Sequence, residues 1–151
     1  MRVIKLNYPV EKDDFIRAGQ ASSNIKKTLR QLGINSEKLR KIAIATYEAE
    51  MNIIIHSEGG YIEVDIEPEK IVITAVDRGP GIENIELAMK AGYSTASEKI
   101  RELGFGAGMG LPNIKRCSDE FKIESVIGQY TKLYVVIYNN CQQSQNKGDE
   151  V

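Results

Sequence analysis

The sequence predicts an α+β protein, a two-layer sandwich in which helices cover one face of a mixed, mostly antiparallel sheet. Strand patterns occur as adjacent pairs joined by short turns, at residues 61–66 with 71–77 and at residues 121–126 with 132–138. Two long helical patterns precede the first pair, so the predicted order is β-α-α-β-β-α-loop-α-β-β. A Rossmann fold is not favoured, because that fold requires alternating βαβ units.

The first third of the chain carries one strand pattern and one helical pattern. Residues 2–8 contain β-branched residues in partial alternation and predict an opening strand, which Pro9 is expected to end. Apolar residues recur at three- and four-residue steps across residues 11–32 and predict an amphipathic helix that Gly33 stops.

A second helix is predicted from a cap at Asn35 or Ser36 to about His56, whose position at the helix end favours a partial positive charge. Glu50 lies off the helix face that carries Glu48 and Asn52, and it is expected to be solvated. The buried side of this helix is predicted to contain Leu39, Ile42, Ala43, Tyr47, Met51, Ile54 and Ile55.

The remaining elements are shorter. The strict alternation at residues 61–66 predicts a half-buried strand, and the apolar run at 71–77 predicts a central one. The next segments are predicted as a short helix, a glycine-containing loop, a helix and two strands, at residues 85–91, 92–108, 111–118, 121–126 and 132–138. The polar residues 139–151 predict a disordered tail, which leaves one domain at residues 1–138.

Composition excludes several classes of function. The chain has 151 residues, of which 42% are hydrophobic, and this fits one globular domain. A net charge of −1 gives no electrostatic footprint for nucleic acid or for an anionic membrane. No apolar run approaches the roughly 18 residues of a membrane-spanning helix. The N-terminus lacks the hydrophobic region of a signal peptide, so a cytoplasmic setting is expected.

Cysteine and histidine are too few for a metal or disulfide framework. Cys117 and Cys141 lie far apart with no C-x-x-C partner, and they are expected to be small buried or tail thiols. His56 is the only histidine, which excludes a His-rich metal site.

Three short motifs carry the candidate chemistry, and the first lies in the second helix. Glu48 and Asn52 are spaced i, i+4 and therefore share one helix face. An amide oxygen near a carboxylate suits a hard cation such as magnesium, and the carboxylate can serve as a base. Taken alone, such a pair is more often a surface glutamate and a helix-interior asparagine with no role.

The second motif follows the apolar strand. A carboxylate at Asp77 would be partly buried, which is unfavourable unless it is hydrogen-bonded, and the amino group of adenine is a fitting donor. Gly79 and Gly81 allow close approach of the backbone. The alternative is an ordinary β-turn.

The third motif runs from Gly104 to Gly110, with four glycines at alternate positions before a helical pattern. Backbone N–H groups of such a loop, together with a helix N-terminus, form an anion site. The loop is not a P-loop, because no Gly-Lys-Ser or Gly-Lys-Thr follows, and the alternative is a merely flexible segment. Each motif lies on the element that its chemistry needs, and their order predicts an ATP site.

At these residues the chain resembles the Bergerat-fold ATPases, the superfamily of gyrase B, MutL and the histidine kinases. Residues 48–52 resemble the N box of that family, residues 77–81 its G1 box and residues 104–110 its G2 box. Residues 83–107 correspond to the ATP lid, and Thr131 stands where the family often places a late threonine near the adenine.

Within the superfamily, the chain length and residues 89–95, 106–116 and 119–125 resemble the anti-sigma-factor serine kinases, and most closely the switch-kinase branch. The resemblance implies an ATP-dependent serine/threonine kinase of bacterial stress signalling, whose substrate is a small STAS-domain antagonist protein. A sigma factor and a downstream phosphatase are further candidate partners, and a homodimer is left open.

The resemblance also implies a role for each motif. Asn52 would bind magnesium that bridges the phosphates of ATP, Glu48 would accept the proton of the attacking hydroxyl as the catalytic residue, and Asp77 would fix the adenine. The other expected nucleotide contacts are Gly79, Gly81, Gly106, Gly108, Gly110, Leu111 and Thr131.

Other functions stay open beside the kinase. The lid carries an extra segment, residues 96–103, relative to the short lid expected of the switch kinases, and this bears on lid closure and on the fit of a partner. The second hypothesis is a non-catalytic switch that binds nucleotide and sequesters a sigma factor or another regulator. Slow ATP hydrolysis that drives assembly is a third. The presence of Glu48 favours the kinase over the non-catalytic switch, since a protein that only binds nucleotide needs no catalytic base.

Overall fold

The computed structural model describes residues 3–90 and 110–139 of the chain. The described part has five strands and four helices in one sequence of elements. They are β1 (Ile4–Val10), α1 (Gln20–Gln31), α2 (Ser36–His56), β2 (Gly60–Ile66), β3 (Lys70–Arg78), α3 (Ile85–Ala88), α4 (Gly110–Cys117), β4 (Glu120–Val126) and β5 (Tyr130–Tyr138).

All five strands form one antiparallel sheet in the order β1-β2-β3-β5-β4. The predicted hairpins are β2 with β3 and β4 with β5, and the central strand is β3, as its apolar run predicts. Successive side chains of a strand point to opposite faces, so Ile71, Ile73 and Ala75 share the face that contributes to the main core. The predicted α+β fold is confirmed, and the described sheet is antiparallel throughout.

Helix α2 is the centre of the helical layer, because α1 and α4 pack on either side of it and the sheet lies beneath. Its N-cap is Asn35, whose Oδ1 accepts a 2.9 Å hydrogen bond from the backbone N–H of Lys38. Because α2 contacts α1, α4 and the sheet, more of its residues are buried than the sequence pattern predicted. The helix buries Leu39, Ile42, Ala45, Thr46, Ala49, Glu50, Met51, Ile53 and Ile54, whereas Tyr47 is exposed.

The opening strand does not end at Pro9 as predicted. It continues to Val10, and Pro9 is aligned with Tyr61 of β2. Strand β1 lies at the edge of the sheet, where a residue without an N–H group is tolerated on the unpaired side. The sequence pattern alone does not reveal which strand takes the edge.

The predicted helix over residues 11–32 is correct only in its second half, since α1 begins at Gln20. Gly19 precedes it with a φ of 91° and Asp13 has a φ of 57°, so the chain turns twice before the helix starts. The apolar residues Phe15 and Ala18 pack against the core although they precede the helix. They are therefore apolar because they are partly buried, and their spacing matches the helical period without forming a helix. Helix α3 is likewise shorter than the predicted residues 85–91 and ends at Ala88.

The predicted loop at residues 92–108 and residues 140–151 of the predicted tail lie outside the described residues. Within the described part, no helix combines the length and the apolar character needed to cross a membrane.

Candidate functional site

Glu48 and Asn52 meet the first residue of α4. A Cβ atom built on Gly110 would lie 3.2 Å from Oε2 of Glu48, 3.2 Å from Oδ1 of Asn52 and 3.6 Å from its Nδ2. The two side chains predicted to share a face of α2 are therefore brought together against the N-terminus of α4, and the absent side chain of Gly110 leaves room beside both.

The electrostatic environment of Glu48 has two opposing parts. Burial raises the pKa of its carboxyl group, and a hydrogen bond with the side chain of Asn113 lowers that pKa in part. Asn113, on α4, in turn accepts a 3.1 Å hydrogen bond at Oδ1 from Nη1 of Arg116. Asn113 was not among the predicted site residues, because its position beside α2 depends on the packing of α4 against α2.

Asp77 lies at the end of β3, on the same face as Ile73 and Ala75. Its Oδ1 accepts a 3.2 Å hydrogen bond from the backbone N–H of Thr131, the residue aligned with it on β5. Burial raises the pKa of Asp77 to about 6, and the bond from Thr131 limits the rise. The predicted partly buried acceptor is therefore present, with Thr131 directly beside it.

The glycines after Asp77 sit where no side chain fits. A Cβ on Gly79 would be 3.1 Å from Cα and Cβ of Ser57 and 3.2 Å from Oδ1 of Asp77. Gly81 has a φ of 77°, and a Cβ there would lie 2.7 Å from the carbonyl oxygen of Val126. These glycines bring the turn after β3 against the C-terminal cap of α2 and against β4.

Ser125 connects this turn to the end of the sheet, and it was not among the predicted site residues. Its Oγ accepts a 2.8 Å hydrogen bond from the backbone N–H of Ile82 and lies 3.0 Å from Oγ1 of Thr131. The same Oγ lies 3.2 Å from the carbonyl oxygen of Tyr130, to which it donates. A serine in a strand carries no signal of this contact, since only the pairing of β4 with β5 places it beside Thr131.

The residues of the first and second motifs are both placed along α2. Glu48 and Asn52 lie within the helix, and Ser57, beside Gly79 and Asp77, is its C-terminal cap. At a rise of about 1.5 Å per residue, Asn52 and Ser57 are roughly 7.5 Å apart along the axis. Leu111 is half-buried and packs against the core next to Gly110, while Gly106 and Gly108 lie outside the described residues.

The side-chain oxygens of Asn52 and Glu48 suit a cation that takes most of its ligands from a bound nucleotide. Among the described residues no group of three or more His, Cys, Asp or Glu side chains is placed to hold a metal ion. Magnesium is typically held by one or two protein oxygens plus substrate phosphates, and the space over Gly110 presents an amide oxygen and a carboxylate oxygen. Asn52 and the nearby Glu48 therefore fit that mode of binding.

A cleft of about 530 Å³ adjoins the turn after β3. Its lining includes His56, Ser57, Arg78, Gly79 and Pro80. Burial lowers the pKa of His56. The neutral imidazole is therefore favoured, in contrast to the positive charge expected from its place at the end of α2.

Known proteins resemble this chain over most of its length. Residues 13–137 match the protein family described as the histidine kinase-like ATPase domain. The chain is 32% identical to the serine/threonine-protein kinase RsbT of Bacillus subtilis (strain 168) over 127 residues, which are 82% of this chain and 87% of that protein. It is 35% identical to the anti-sigma F factor of Thermoanaerobacter sp. (strain X514) over 116 residues, 72% of this chain and 76% of that protein. It is 33% identical to the anti-sigma F factor of Clostridium acetobutylicum over 130 residues, 82% of each chain.

Two solved structures share the fold at low sequence identity. A chain of the SiaB–SiaC complex from Pseudomonas aeruginosa superposes with a TM-score of 0.61 at 15% identity, over 90% of each chain. The RsbU and RsbW domains of a Mycobacterium tuberculosis protein give a TM-score of 0.58 at 12% identity, over 90% of this chain and 32% of that one. The family match and the relatives confirm the resemblance predicted from the three motifs, and the chain belongs to the histidine kinase-like ATPase domain family.

Proposed function

We propose that this chain is an ATP-dependent serine/threonine protein kinase and anti-sigma-type regulator that phosphorylates a small STAS-domain antagonist protein. One observation carries the proposal: a carboxylate and an amide oxygen, on Glu48 and Asn52, converge on the glycine that opens α4. Transfer of a phosphoryl group depends mostly on positioning and on neutralisation of charge, so a small set of groups is sufficient.

The phosphate end of the site is assigned to the residues around Gly110. Asn52 would hold magnesium together with the phosphates, and the ion would neutralise their charge. Glu48 would accept the proton of the attacking serine or threonine hydroxyl, a role that suits a carboxylate whose pKa burial has moved toward neutrality. Gly106, Gly108 and Gly110 would present backbone N–H groups to the phosphates.

The adenine end is assigned to Asp77 and its neighbours. One oxygen of the carboxylate accepts the N–H of Thr131, and an ionised carboxylate has capacity for further donors. The amino group of adenine would supply such a donor. Gly79 and Gly81 keep side chains away from this end, and Thr131 with Ser125 fixes the turn that would border the base.

The partner is proposed from the relatives. A serine/threonine-protein kinase and several anti-sigma F factors align with most of the chain, and their names imply protein substrates or protein targets. A small STAS-domain protein is the proposed substrate, with a sigma factor or a downstream phosphatase as a further partner. The cytoplasm is the proposed site of action.

The test is a phosphoryl-transfer assay with purified protein, labelled ATP, magnesium and the STAS-domain proteins of the same genome. Wild type should label one of them on serine or threonine. Glu48→Ala should abolish labelling while retaining nucleotide affinity, and Asn52→Ala should weaken magnesium-dependent ATP binding. Absence of labelling by a wild type that binds ATP would refute the kinase. Loss of ATP binding in Glu48→Ala would instead make Glu48 a binding residue.

A second candidate follows from the relatives named anti-sigma F factor, which favour binding of a regulator over phosphorylation. The chain would then sequester a sigma factor or another protein in a nucleotide-dependent manner. Pull-down of candidate partners with ATP, ADP or no nucleotide distinguishes the two functions. Nucleotide-dependent capture that Glu48→Ala leaves intact, without labelling, would establish the switch.

A further inference from the structure

One end of the helical layer carries an excess of positive charge. Residues 26–41, which span the second half of α1 and the start of α2, contain six lysine or arginine residues and a single acidic one, Glu37. Lys115 and Arg116 add two more cations in the last turn of α4. The whole chain has 20 lysine and arginine residues against 21 aspartate and glutamate residues, so its other parts are acidic in excess. The charge is therefore separated along the molecule, and we call this region the basic end.

The fold brings the three basic segments together. Residues 32–35 join α1 to α2, so the end of α1 lies at the start of α2. Helix α4 begins beside Glu48 and is followed by Asp119, whose backbone N–H donates a 2.9 Å hydrogen bond to the carbonyl oxygen of Val136 near the end of β5. The end of β5 pairs with the start of β3, whereas α2 ends beside the last residues of β3. Helix α4 therefore runs antiparallel to α2, and its last turn lies toward the start of α2.

An exposed stripe on α2 connects the basic end with the candidate phosphate end. Arg40, Ile44 and Tyr47, which we call the α2 stripe, follow one another at three- and four-residue steps and therefore share one face of the helix. Glu48 lies four residues after Ile44 on the same face and contacts the space over Gly110. Ile44 and Tyr47 are 38% and 36% exposed, so the packing of α1 and α4 leaves both accessible.

The combination of charged and apolar side chains favours an acidic protein as the occupant of this surface. Protein interfaces have an apolar centre with a polar rim, and tyrosine and arginine are frequent among the residues that contribute most to affinity. A nucleic acid or an anionic membrane would bring a row of phosphates along the stripe, where Ile44 and Tyr47 offer no positive charge and Glu37 repels them. A protein can instead place an apolar residue on Ile44 and carboxylates beside Arg40.

We propose that the α2 stripe and the basic end form the docking surface for the protein partner, and that this partner presents acidic residues around an apolar one. The inference rests on the proposed function, because the stripe leads to Glu48, the group assigned to accept the proton of the substrate. A partner held along the stripe has its hydroxyl brought to Glu48 while its acidic residues lie against the basic end. Complementary charge of this kind accelerates association and is weakened by salt.

The first experiment measures binding of the full chain to the purified STAS-domain proteins and sigma factors of the same genome, with ADP and magnesium so that no phosphoryl group is transferred. Arg40→Glu is expected to raise Kd at least about tenfold, mainly through slower association, and the effect should shrink as salt rises. Arg40 is the target because Lys41 already forms a 3.9 Å ion pair with Glu37. The control is Lys122→Glu, the same reversal of charge at an exposed position of β4, which should bind as wild type does.

The apolar part of the stripe is tested by Ile44→Ser, with Tyr61→Ser as its control. Tyr61 is 37% exposed, as Ile44 nearly is, but alternation along β2 places it on the face of the sheet away from the helices. Ile44→Ser is expected to raise Kd at least about tenfold, whereas Tyr61→Ser should leave it unchanged. Arg40→Glu and Ile44→Ser should keep the ATP affinity of wild type, which shows that both are folded. Wild-type affinity for the partner in both stripe variants would overturn the inference.

Addition of labelled ATP to the same mixtures separates this inference from the proposed function. Labelling of a partner that both stripe variants bind normally would keep the kinase and overturn the docking surface. Binding that both stripe variants lose, without labelling by wild type, would refute the kinase and keep the docking surface. Absence of binding to any of these proteins would overturn the inference. Binding of a DNA duplex or of phosphatidylserine vesicles at physiological salt, abolished by Arg40→Glu and kept by Ile44→Ser, would overturn it by assigning the basic end to another class of macromolecule.

Discussion

The carboxylate of Glu50 on α2 accepts a hydrogen bond from the backbone N–H of Gly19 at 3.1 Å. It also accepts the N–H groups of Ala21 and Ser22, at 3.2 and 3.1 Å. Gly19 has no side chain to cap α1, and the first N–H groups of a helix need an acceptor. Glu50 supplies that acceptor from the neighbouring helix, and a negative charge at a helix N-terminus is favourable. Glu50 is only 2% exposed, so the prediction that it is solvated was wrong.

Glu50→Ala is therefore expected to destabilise the protein by about 3 kcal/mol, because hydrogen bonds to a charged group are lost and three N–H groups at the start of α1 lose their acceptor. Urea denaturation measures the change in the free energy of unfolding. The matched control is Glu37→Ala on the same helix, which removes an exposed ion pair with Lys41 and a negative charge from the first turn of α2. Its cost should stay below about 1 kcal/mol. Equal losses for the two variants would contradict the capping role.

Nucleotide binding should depend on pH through Asp77. Burial raises its pKa to about 6, and the ionised carboxylate is a better acceptor for an adenine amino group than the protonated form, which carries an O–H donor. ATP affinity should therefore be highest above pH 7 and decrease as pH falls through about 6. Isothermal titration between pH 5 and 8 measures this, with Asp77→Asn as the control. That variant should bind weakly at every pH, and a wild-type affinity independent of pH would contradict the assignment.

The same carboxylate should reduce stability at neutral pH. Its folded pKa lies above its ordinary value of 3.8, so the folded state binds more protons between pH 3.8 and about 6, and stability falls as pH rises through that window. Asp77→Asn keeps an acceptor for the N–H of Thr131 and removes the charge. The variant should be more stable than wild type at pH 7, by about 1 kcal/mol after allowance for solvent screening, and the gain should vanish near pH 4. Thermal unfolding at both pH values measures it, and a destabilised variant at pH 7 would show that the charge is well compensated.

The sequence predicted the parts of the site that depend on local spacing. Glu48 and Asn52 share a face because the helix has a fixed period, and Asp77 is partly buried because it continues an apolar strand. The sequence could not predict Glu50 or Ser125, since their partners are distant in the chain and are set by how α1 meets α2 and β4 meets β5. A glutamate that caps another helix has the same local pattern as a solvated one.

The turn after β3 and the turn between β4 and β5 offer a matched pair of glycine substitutions. Gly81 and Gly128 have nearly the same φ, 77° and 76°, but a Cβ on Gly81 would lie 2.7 Å from the carbonyl oxygen of Val126, whereas a Cβ on Gly128 would meet nothing within 4 Å. Gly128→Ala should destabilise by about 1 kcal/mol, from the left-handed backbone alone. Gly81→Ala should destabilise by clearly more and weaken ATP binding, because the turn must move away from β4. Urea denaturation and ATP titration of both variants measure this, and equal effects would mean that the backbone relaxes around the new methyl group.

A substitution at Gly110 should affect ATP affinity much more than the free energy of unfolding. A methyl group there would lie 3.2 Å from Oε2 of Glu48 and from Oδ1 of Asn52, closer than an ordinary contact, and would occupy the space proposed for magnesium and phosphate. Gly110 is the first residue of α4, so the higher helix propensity of alanine is offset by the two close contacts, and Gly110→Ala should change the free energy of unfolding by less than about 1 kcal/mol in either direction. ATP affinity in magnesium should nevertheless fall at least tenfold, while Ser23→Ala at an exposed position of α1 should change neither quantity. Unaltered ATP affinity in Gly110→Ala would place the phosphates away from α4 and would contradict the assignment of Glu48 and Asn52 to the phosphate end of the site.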